Sequence, residues 1–131
     1  MLVAGAGKLE NISNPLHAEA LAMKQAVLEA SRMGCLNVIL ETDASILKQV
    51  MMSESYDESS LGALFRDIRS MVRLSFQCCK IEHCPRSCNI LAHSLAAFGT
   101  RMEAGNYHIW LAPFPPDVND LIAGRCPANI V

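Results

Sequence analysis

The sequence predicts an α/β domain in which helices cover a sheet. Three observations support this prediction: short apolar runs of strand length, stretches between them with apolar residues at helical spacing, and turn residues that separate the two. The elements follow in the order β-α-β-α-α-β-α, which is typical of a sheet flanked by helices. With 131 residues, 51% of them hydrophobic, the chain is long enough for one core.

The first strand and the first helix are marked by glycines and caps. Leu2 to Lys8 predicts a short strand whose two glycines weaken it or mark an edge. Asn14 and Pro15 open a helix as N-cap and first helical residue, and Gly34 ends it. The buried stripe of this helix is predicted to consist of Leu16, Ala20, Met23, Val27 and Ala30.

The middle of the chain predicts one strand and two helices. The apolar run Asn37 to Glu41 predicts an interior strand that is covered on both faces. A short helix then runs to about Met52, residues 53–60 form a loop, and a strongly amphipathic helix follows. The apolar face of that helix carries Leu61, Leu64, Phe65, Ile68, Met71 and Val72.

The last part predicts a strand, a helix and a tail. Phe76 to His83 is the strand, and Asn89 to about Glu103 is the helix, with Leu91, Leu95, Phe98 and Met102 on one face. From Gly105 the chain is proline-rich and weakly periodic, which predicts extended structure. The domain is therefore assigned residues 1–104, and residues 105–131 form a tail that packs on it or trails from it.

Composition and charge exclude several classes of protein. No apolar run is long enough to span a membrane, and the N-terminus lacks the basic region of a secretory signal, so an intracellular chain is predicted, with nucleus or cytoplasm left open. The net charge of −2 and the few aromatic residues predict weak, salt-sensitive binding of nucleic acid through a local patch. The candidate basic residues are Arg66, Arg69, Arg73, Lys80 and Arg86.

The six cysteines of an intracellular chain indicate thiols or metal ligands rather than disulfides. Cys84, Cys88 and His93, with His83 adjacent, have a spacing that matches no common zinc pattern. Buried free thiols are the favoured interpretation.

Two carboxylates are candidates for chemistry. Glu19 borders the apolar stripe of the first helix, where a half-buried carboxylate needs a partner such as a cation; a glutamate that reaches water is an equal alternative. Asp43 comes just after the carboxyl end of the middle strand, where ligand sites of α/β sheets form. From the residues alone, an N-cap of the next helix is the favoured interpretation of Asp43.

One histidine is the third candidate. His93 lies one turn beyond Asn89 on the last helix, and both face away from Leu91 and Leu95. Together with small alanines they describe a side that could line a groove. A solvated helix face is the favoured alternative for a lone histidine.

Three segments resemble, in order, the signatures of the plant-type ribonuclease H-like domain, which is derived from retrotransposons and associated with reverse transcriptases. They are Asn-Pro-Leu-His-Ala-Glu-Ala-Leu-Ala (14–22), Val-Ile-Leu-Glu-Thr-Asp-Ala (38–44) and Pro-Arg-Ser-Cys-Asn-Ile-Leu-Ala-His-Ser-Leu-Ala (85–96). The resemblance covers roughly residues 3–100. It implies a mixed five-stranded sheet flanked by helices and an endonuclease that hydrolyses the RNA strand of RNA–DNA hybrids with Mg²⁺ or Mn²⁺.

The resemblance also implies roles for single residues. Glu19 and Asp43 match metal-binding and catalytic carboxylates, and His93 takes the place of the last-helix aspartate. The nucleic acid is expected to contact Arg66, Arg69, Lys80, Arg86 and Asn89.

The chain departs from the family pattern at its start. The leading aspartate of the family lies upstream of Gly5-Ala6-Gly7, and this sequence has no aspartate before Asp43. The segment Leu2 to Lys8 corresponds to the third strand, so the domain is expected to lack the first two strands. With two anionic ligands, metal would be held weakly if at all, and hydrolase activity is expected to be weak or absent.

A non-catalytic module that keeps the same fold is the alternative function. Such a module would act in protein interaction or self-assembly, since fold does not determine function. Without the first strand, the edge of Asn37–Glu41 would expose unpaired backbone, which predicts a homodimer.

Overall fold

The computed structural model describes residues 3–123, with the side chains of Val3, Cys88 and Leu121 excepted. The elements are β1 (Val3–Gly7), α1 (Pro15–Arg32), β2 (Asn37–Thr42), α2 (Ser45–Met52), α3 (Gly62–Ser75), β3 (Cys78–His83), a 3₁₀ turn (Arg86–Cys88), α4 (Ile90–Gly99), β4 (Tyr107–Leu111) and α5 (Pro116–Ala123). This mixture of strands and helices confirms the α/β class. No helix within the described range could cross a membrane.

The chain divides into two compact units. The contiguous unit consists of residues 12–84, and the split unit combines the described residues 3–11 with residues 85–123. Each unit has its own two-stranded sheet and its own core.

The contiguous unit is a parallel strand pair with three helices. β2 and β3 pair from Asn37 beside Cys78 to Thr42 beside His83. The helices α1, α2 and α3 pack on one another. The buried residues of the core are Ala20, Met23, Val27, Leu40, Leu47, Val50, Met51, Phe65, Ile68 and Phe76.

The predicted caps of α1 are confirmed. The Asn14 side chain accepts a hydrogen bond from the His17 amide at 2.9 Å, and Pro15 is the first helical residue. At the other end Gly34 has a φ of +76°, a left-handed conformation that suits glycine. The short segment 33–36 then leads directly into β2.

The prediction that the middle strand is covered on both faces is wrong. Leu40 and Thr42 are buried, but the alternate residues Asn37, Ile39 and Glu41 are exposed, and Ile39 keeps 56% of its surface. Within the described residues β2 pairs with β3 alone. The apolar run therefore marks a strand with one covered face.

The split unit pairs strands from the two ends of the described chain. β1 and β4 are antiparallel, from Val3 beside Leu111 to Gly7 beside Tyr107. Helix α4 contacts β1 closely: a Cβ atom on Gly99 would collide with the Gly7 carbonyl oxygen. Only a residue without a side chain allows this approach. The buried residues of the core are Ala4, Leu91, Leu95 and Val118.

The end of the chain differs from its prediction in two respects. The last predicted helix, α4, ends at Gly99 and not near Glu103. Residues 105–123 contain β4 and a further helix, α5, neither of which was predicted. Pro116, one of the prolines that suggested extended structure, is the first residue of α5. Proline is favoured at the first helical position because it has no N–H to leave unpaired there.

Candidate functional site

Glu19 and Asp43 belong to the same unit, Glu19 on α1 and Asp43 just after β2. Helix α1 and strand β2 share a core and are joined by the short segment 33–36, so they run in opposite directions. From Arg32 back to Glu19 the helix spans about 20 Å. From Asn37 forward to Asp43 the strand spans about 20 Å. These lengths predict that the two carboxylates lie at a similar level, near the carboxyl end of β2.

The position of Glu19 on the border of the apolar stripe is confirmed. Glu19 is half-buried, and its neighbours Ala20 and Met23 are buried in the core. Binding of a cation by this carboxylate stays a prediction.

The N-cap position of the following helix falls one residue after Asp43. The N-cap of α2 is Ala44, which makes no side-chain cap hydrogen bond. The turn is fixed by buried Thr42: its hydroxyl accepts a hydrogen bond from the Ala44 amide at 3.1 Å, and its carbonyl accepts one from the Cys84 amide at 2.9 Å. The N-cap interpretation of Asp43 is therefore wrong, and the residue lies half-buried at the strand end.

The remaining candidates at the start of α4 belong to the split unit. His93 is exposed on the side of α4 that faces away from buried Leu91 and Leu95. Its amide donates to the Asn89 carbonyl at 3.0 Å, and the Asn89 amide donates to the Arg86 carbonyl at 3.0 Å. The structure thus brings Arg86, Asn89 and His93 together along one stretch of backbone. A catalytic role of His93 stays a prediction.

The residues present do not fit a pair of metal ions. Among residues 3–123, no group of three Asp, Glu, His or Cys side chains is arranged to hold a metal. Mg²⁺ prefers oxygen ligands and keeps several waters, so one or two carboxylates suffice for a single, weakly held ion. Two ions would need more negative charge than Glu19 and Asp43 supply.

Cys35, Cys78 and Cys79 are free thiols, as predicted, but none of them is buried. Cys35, Cys79 and Cys84 are partly exposed, and Cys78 is exposed. Their positions on and beside the two-stranded sheet explain this, because only one face of that sheet is covered. Burial, and in second place the neighbouring Cys78, raise the pKa of the Cys79 thiol. The side chain of Cys88, and Cys126, lie outside the described residues.

Two candidate arginines bind the loop between α2 and α3. The Arg69 guanidinium donates to the carbonyls of Val50 and Ser53 at 2.9 and 3.1 Å, and to the Asp57 carboxylate at 2.5 Å. Arg66 donates to the Asp57 carbonyl at 2.8 Å. No sequence pattern predicts this network, since Asp57 lies in a loop without periodicity.

The other basic candidates lie on the surface of their units. Lys80 and Arg73 are exposed on β3 and α3, and Arg86 is exposed before α4. The nucleic-acid contacts of Arg66, Arg69, Lys80, Arg86 and Asn89 stay predictions.

The mixture of helices and strands is consistent with a ribonuclease H-like α/β fold. A family model described as reverse transcriptase-like matches residues 1–99. The chain belongs to this family, a ribonuclease H-like domain of retroelement origin, and the resemblance seen in the three segments is confirmed. A search of curated proteins and a search of solved structures each found no match.

Proposed function

We propose that this chain is a ribonuclease H-like nucleic-acid domain that binds RNA–DNA hybrids or other nucleic acid weakly and cleaves them slowly or not at all. The observation that supports the proposal is that no group of three Asp, Glu, His or Cys side chains among the described residues is arranged to hold a metal. Glu19 and Asp43 are its predicted ligands. Family membership supports the nucleic-acid partner.

Charge explains why cleavage should be slow. Enzymes that use two Mg²⁺ ions hold the attacking and leaving oxygens of phosphate between them. Glu19 and Asp43 would supply oxygen ligands for one Mg²⁺ or Mn²⁺ ion, which suffices to bind phosphate but leaves the second ion without support.

A cleavage assay tests the catalytic part of this proposal. A labelled RNA–DNA hybrid is incubated with the chain in Mg²⁺ and in Mn²⁺, beside the matched variants Glu19→Gln and Asp43→Asn. We expect equal, background cleavage in all three proteins. Cleavage by the parent chain that either variant abolishes would make this chain a hydrolase.

A binding assay tests the partner. By fluorescence anisotropy we expect a dissociation constant above about 1 µM at physiological salt, and weaker binding as salt rises, because contacts to phosphate release counterions. Lys80→Gln and Arg86→Gln should weaken binding further, while Lys8→Gln, an exposed lysine outside the candidate patch, serves as the control. A dissociation constant well below about 1 µM, or one that does not change with the salt concentration, would contradict the proposed weak binding.

We also propose self-assembly as a second function, since one observation favours it. Strand β2 presents Ile39 with 56% of its surface exposed on a strand that has one partner among the described residues. Exposed edges with apolar residues recruit further strands. A homodimer is the expected product, and sedimentation velocity at increasing protein concentration detects it without any nucleic acid.

A further inference from the structure

We propose that two copies of this chain pair through β2 in an antiparallel register centred on Ile39, which joins two β2–β3 sheets into one four-stranded sheet. This inference rests on the proposed self-assembly and names its surface. Its basis is the direction of the backbone groups of β2, the exposure of its side chains, and the complementarity of the strand to itself.

Among residues 3–123, no strand pairs with the second edge of β2. The Leu36 carbonyl accepts from the Gln77 and Cys78 amides at 2.8 and 3.2 Å, and the Thr42 carbonyl accepts from the Cys84 amide at 2.9 Å. Even-numbered residues of this strand therefore direct their backbone groups towards β3. Because the direction alternates along a strand, the odd-numbered residues 37, 39 and 41 direct theirs towards the opposite edge.

The side chains of β2 leave this edge without protection. Proteins commonly block an edge with proline, lysine, a bulge or an inward-pointing charge. The β2 sequence Asn-Val-Ile-Leu-Glu-Thr has none of these, and its one charged residue, Glu41, lies on the exposed face. Ile39 stands at the centre of that face, while Val38 and Leu40 point to the core. A strand of this kind gains from a partner.

Self-complementarity selects the second copy and the register. In a two-fold antiparallel pair centred on Ile39, that residue lies opposite Ile39 of the second copy, and Asn37 lies opposite Glu41. All three odd-numbered residues then form hydrogen-bonded pairs, with about six backbone bonds. A shift by two residues in either direction would place Ile39 opposite a polar residue. A shift by four residues would leave one such pair, either two Glu41 carboxylates, which repel each other, or two Asn37 side chains.

The pairing of Asn37 with Glu41 has a further advantage within each copy. Glu41 lies beside Glu82 in the β2–β3 register, and both residues are exposed. Like charges directly opposite each other destabilise a sheet. The amide of Asn37 from the second copy would donate to Glu41 and offset this repulsion.

Sedimentation velocity tests the surface. The chain is measured from about 1 µM to about 200 µM, because a short edge contact belongs to the weak class of interfaces. We expect a concentration-dependent dimer. Ile39→Lys should raise its dissociation constant by about tenfold or more, since it places two lysines opposite each other. Leu74→Lys is the matched control, because Leu74 is 89% exposed on α3, outside the proposed surface.

A charge exchange tests the register. Asn37→Glu opposes two carboxylates twice per dimer and should raise the dissociation constant about two- to thirty-fold. Adding Glu41→Lys to the same chain makes both pairs oppositely charged and should restore the dimer. Both positions are exposed, so circular dichroism should show folded variants.

The outcomes separate this inference from the proposals on which it rests. If neither Ile39→Lys nor Asn37→Glu changes the dissociation constant of the dimer, the β2 surface is wrong and self-assembly still stands. A dimer that loses stability with Asn37→Glu but is not restored by Glu41→Lys would overturn the register. A monomer at every concentration would overturn both self-assembly and its surface, while binding of RNA–DNA hybrids is measured independently.

Discussion

The contiguous unit is held together by large side chains, whereas the split unit depends on close contact between backbones. In the former, Val27, Leu47, Val50, Phe65 and Ile68 are almost completely buried. In the latter, Val118 alone among the described side chains reaches that degree of burial, and Gly99 lies directly against Gly7. Dispersion and hydrophobic contacts grow with the size of the buried side chain, so the first core should tolerate truncation less well.

The two units also differ in how far apart their partners lie along the chain. Helix α1, β2, α2, α3 and β3 follow one another, and each packs on a near neighbour in sequence. In the split unit, Val3 pairs with Leu111. Local sequence patterns therefore predict the elements of the contiguous unit well. The split unit forms only when a long loop closes, which costs conformational entropy.

Truncation of the two cores should give the largest difference. Phe65→Ala should lower the free energy of unfolding by about 3–5 kcal/mol, and Leu95→Ala, at the edge of a smaller core, by about 2 kcal/mol. Urea unfolding followed by far-UV circular dichroism and by fluorescence of Trp110, the single tryptophan of the chain, reports both units. Leu74→Ala, on an exposed residue, should change little. Equal costs for Phe65→Ala and Leu95→Ala would contradict the comparison.

The loop of the contiguous unit should depend on one arginine. Arg69→Met leaves the Asp57 carboxylate, one carbonyl of α2 and the carbonyl just after α2 without this donor. This should cost about 2–3 kcal/mol, since both side chains of the ion pair are largely buried. Arg66→Met removes one exposed hydrogen bond and should cost less than about 1 kcal/mol. The measurement is again urea unfolding. If both variants cost the same, the network does not hold the loop.

Whether Gly99→Ala raises or lowers the free energy of unfolding tests the backbone contact of the split unit. Helix propensity alone predicts that Gly99→Ala stabilises α4 by about 1 kcal/mol. The collision with the Gly7 carbonyl predicts instead a loss of about 1–2 kcal/mol, because β1 and α4 must separate. Thermal unfolding followed by Trp110 fluorescence gives the answer. A stabilised variant would show that the two backbones are not held in contact.

Most of the contiguous unit could be predicted from the sequence. Asn14, Pro15 and Gly34 bound α1 correctly because capping is a local effect. The position of Asp43 beyond a strand end was also local, yet its N-cap interpretation failed because α2 begins one residue later than that role requires. Ile39 was placed in an interior strand because an apolar run does not tell how many neighbours a strand has.

The fold of the split unit was harder to predict from the sequence, for a physical reason. The pairing of β1 with β4 joins segments at opposite ends of the described chain. Neither segment has a periodic sequence pattern that indicates the strand with which it pairs. Helix α5 was missed because proline both favours extended structure and opens helices. Membership of the reverse transcriptase-like family was indicated by three motifs, and two of these, residues 14–22 and 38–44, lie in the contiguous unit.

The smallest effect concerns two adjacent thiols and distinguishes the two faces of β3. Cys78 is exposed, whereas burial and the neighbouring Cys78 raise the pKa of Cys79. The thiolate is the nucleophile, so at about pH 8 iodoacetamide should modify Cys78 several-fold faster than Cys79, as peptide mass spectrometry would report. Because the folded pKa of Cys79 lies above its ordinary value of 9.0, its contribution to stability is complete below that pH and is lost as the pH rises through the folded value. Cys78→Ser removes the charged neighbour but leaves the burial, so alkylation of Cys79 should accelerate modestly. Equal rates for the two thiols in the parent chain would mean that the core side of β3 opens as readily as its exposed side.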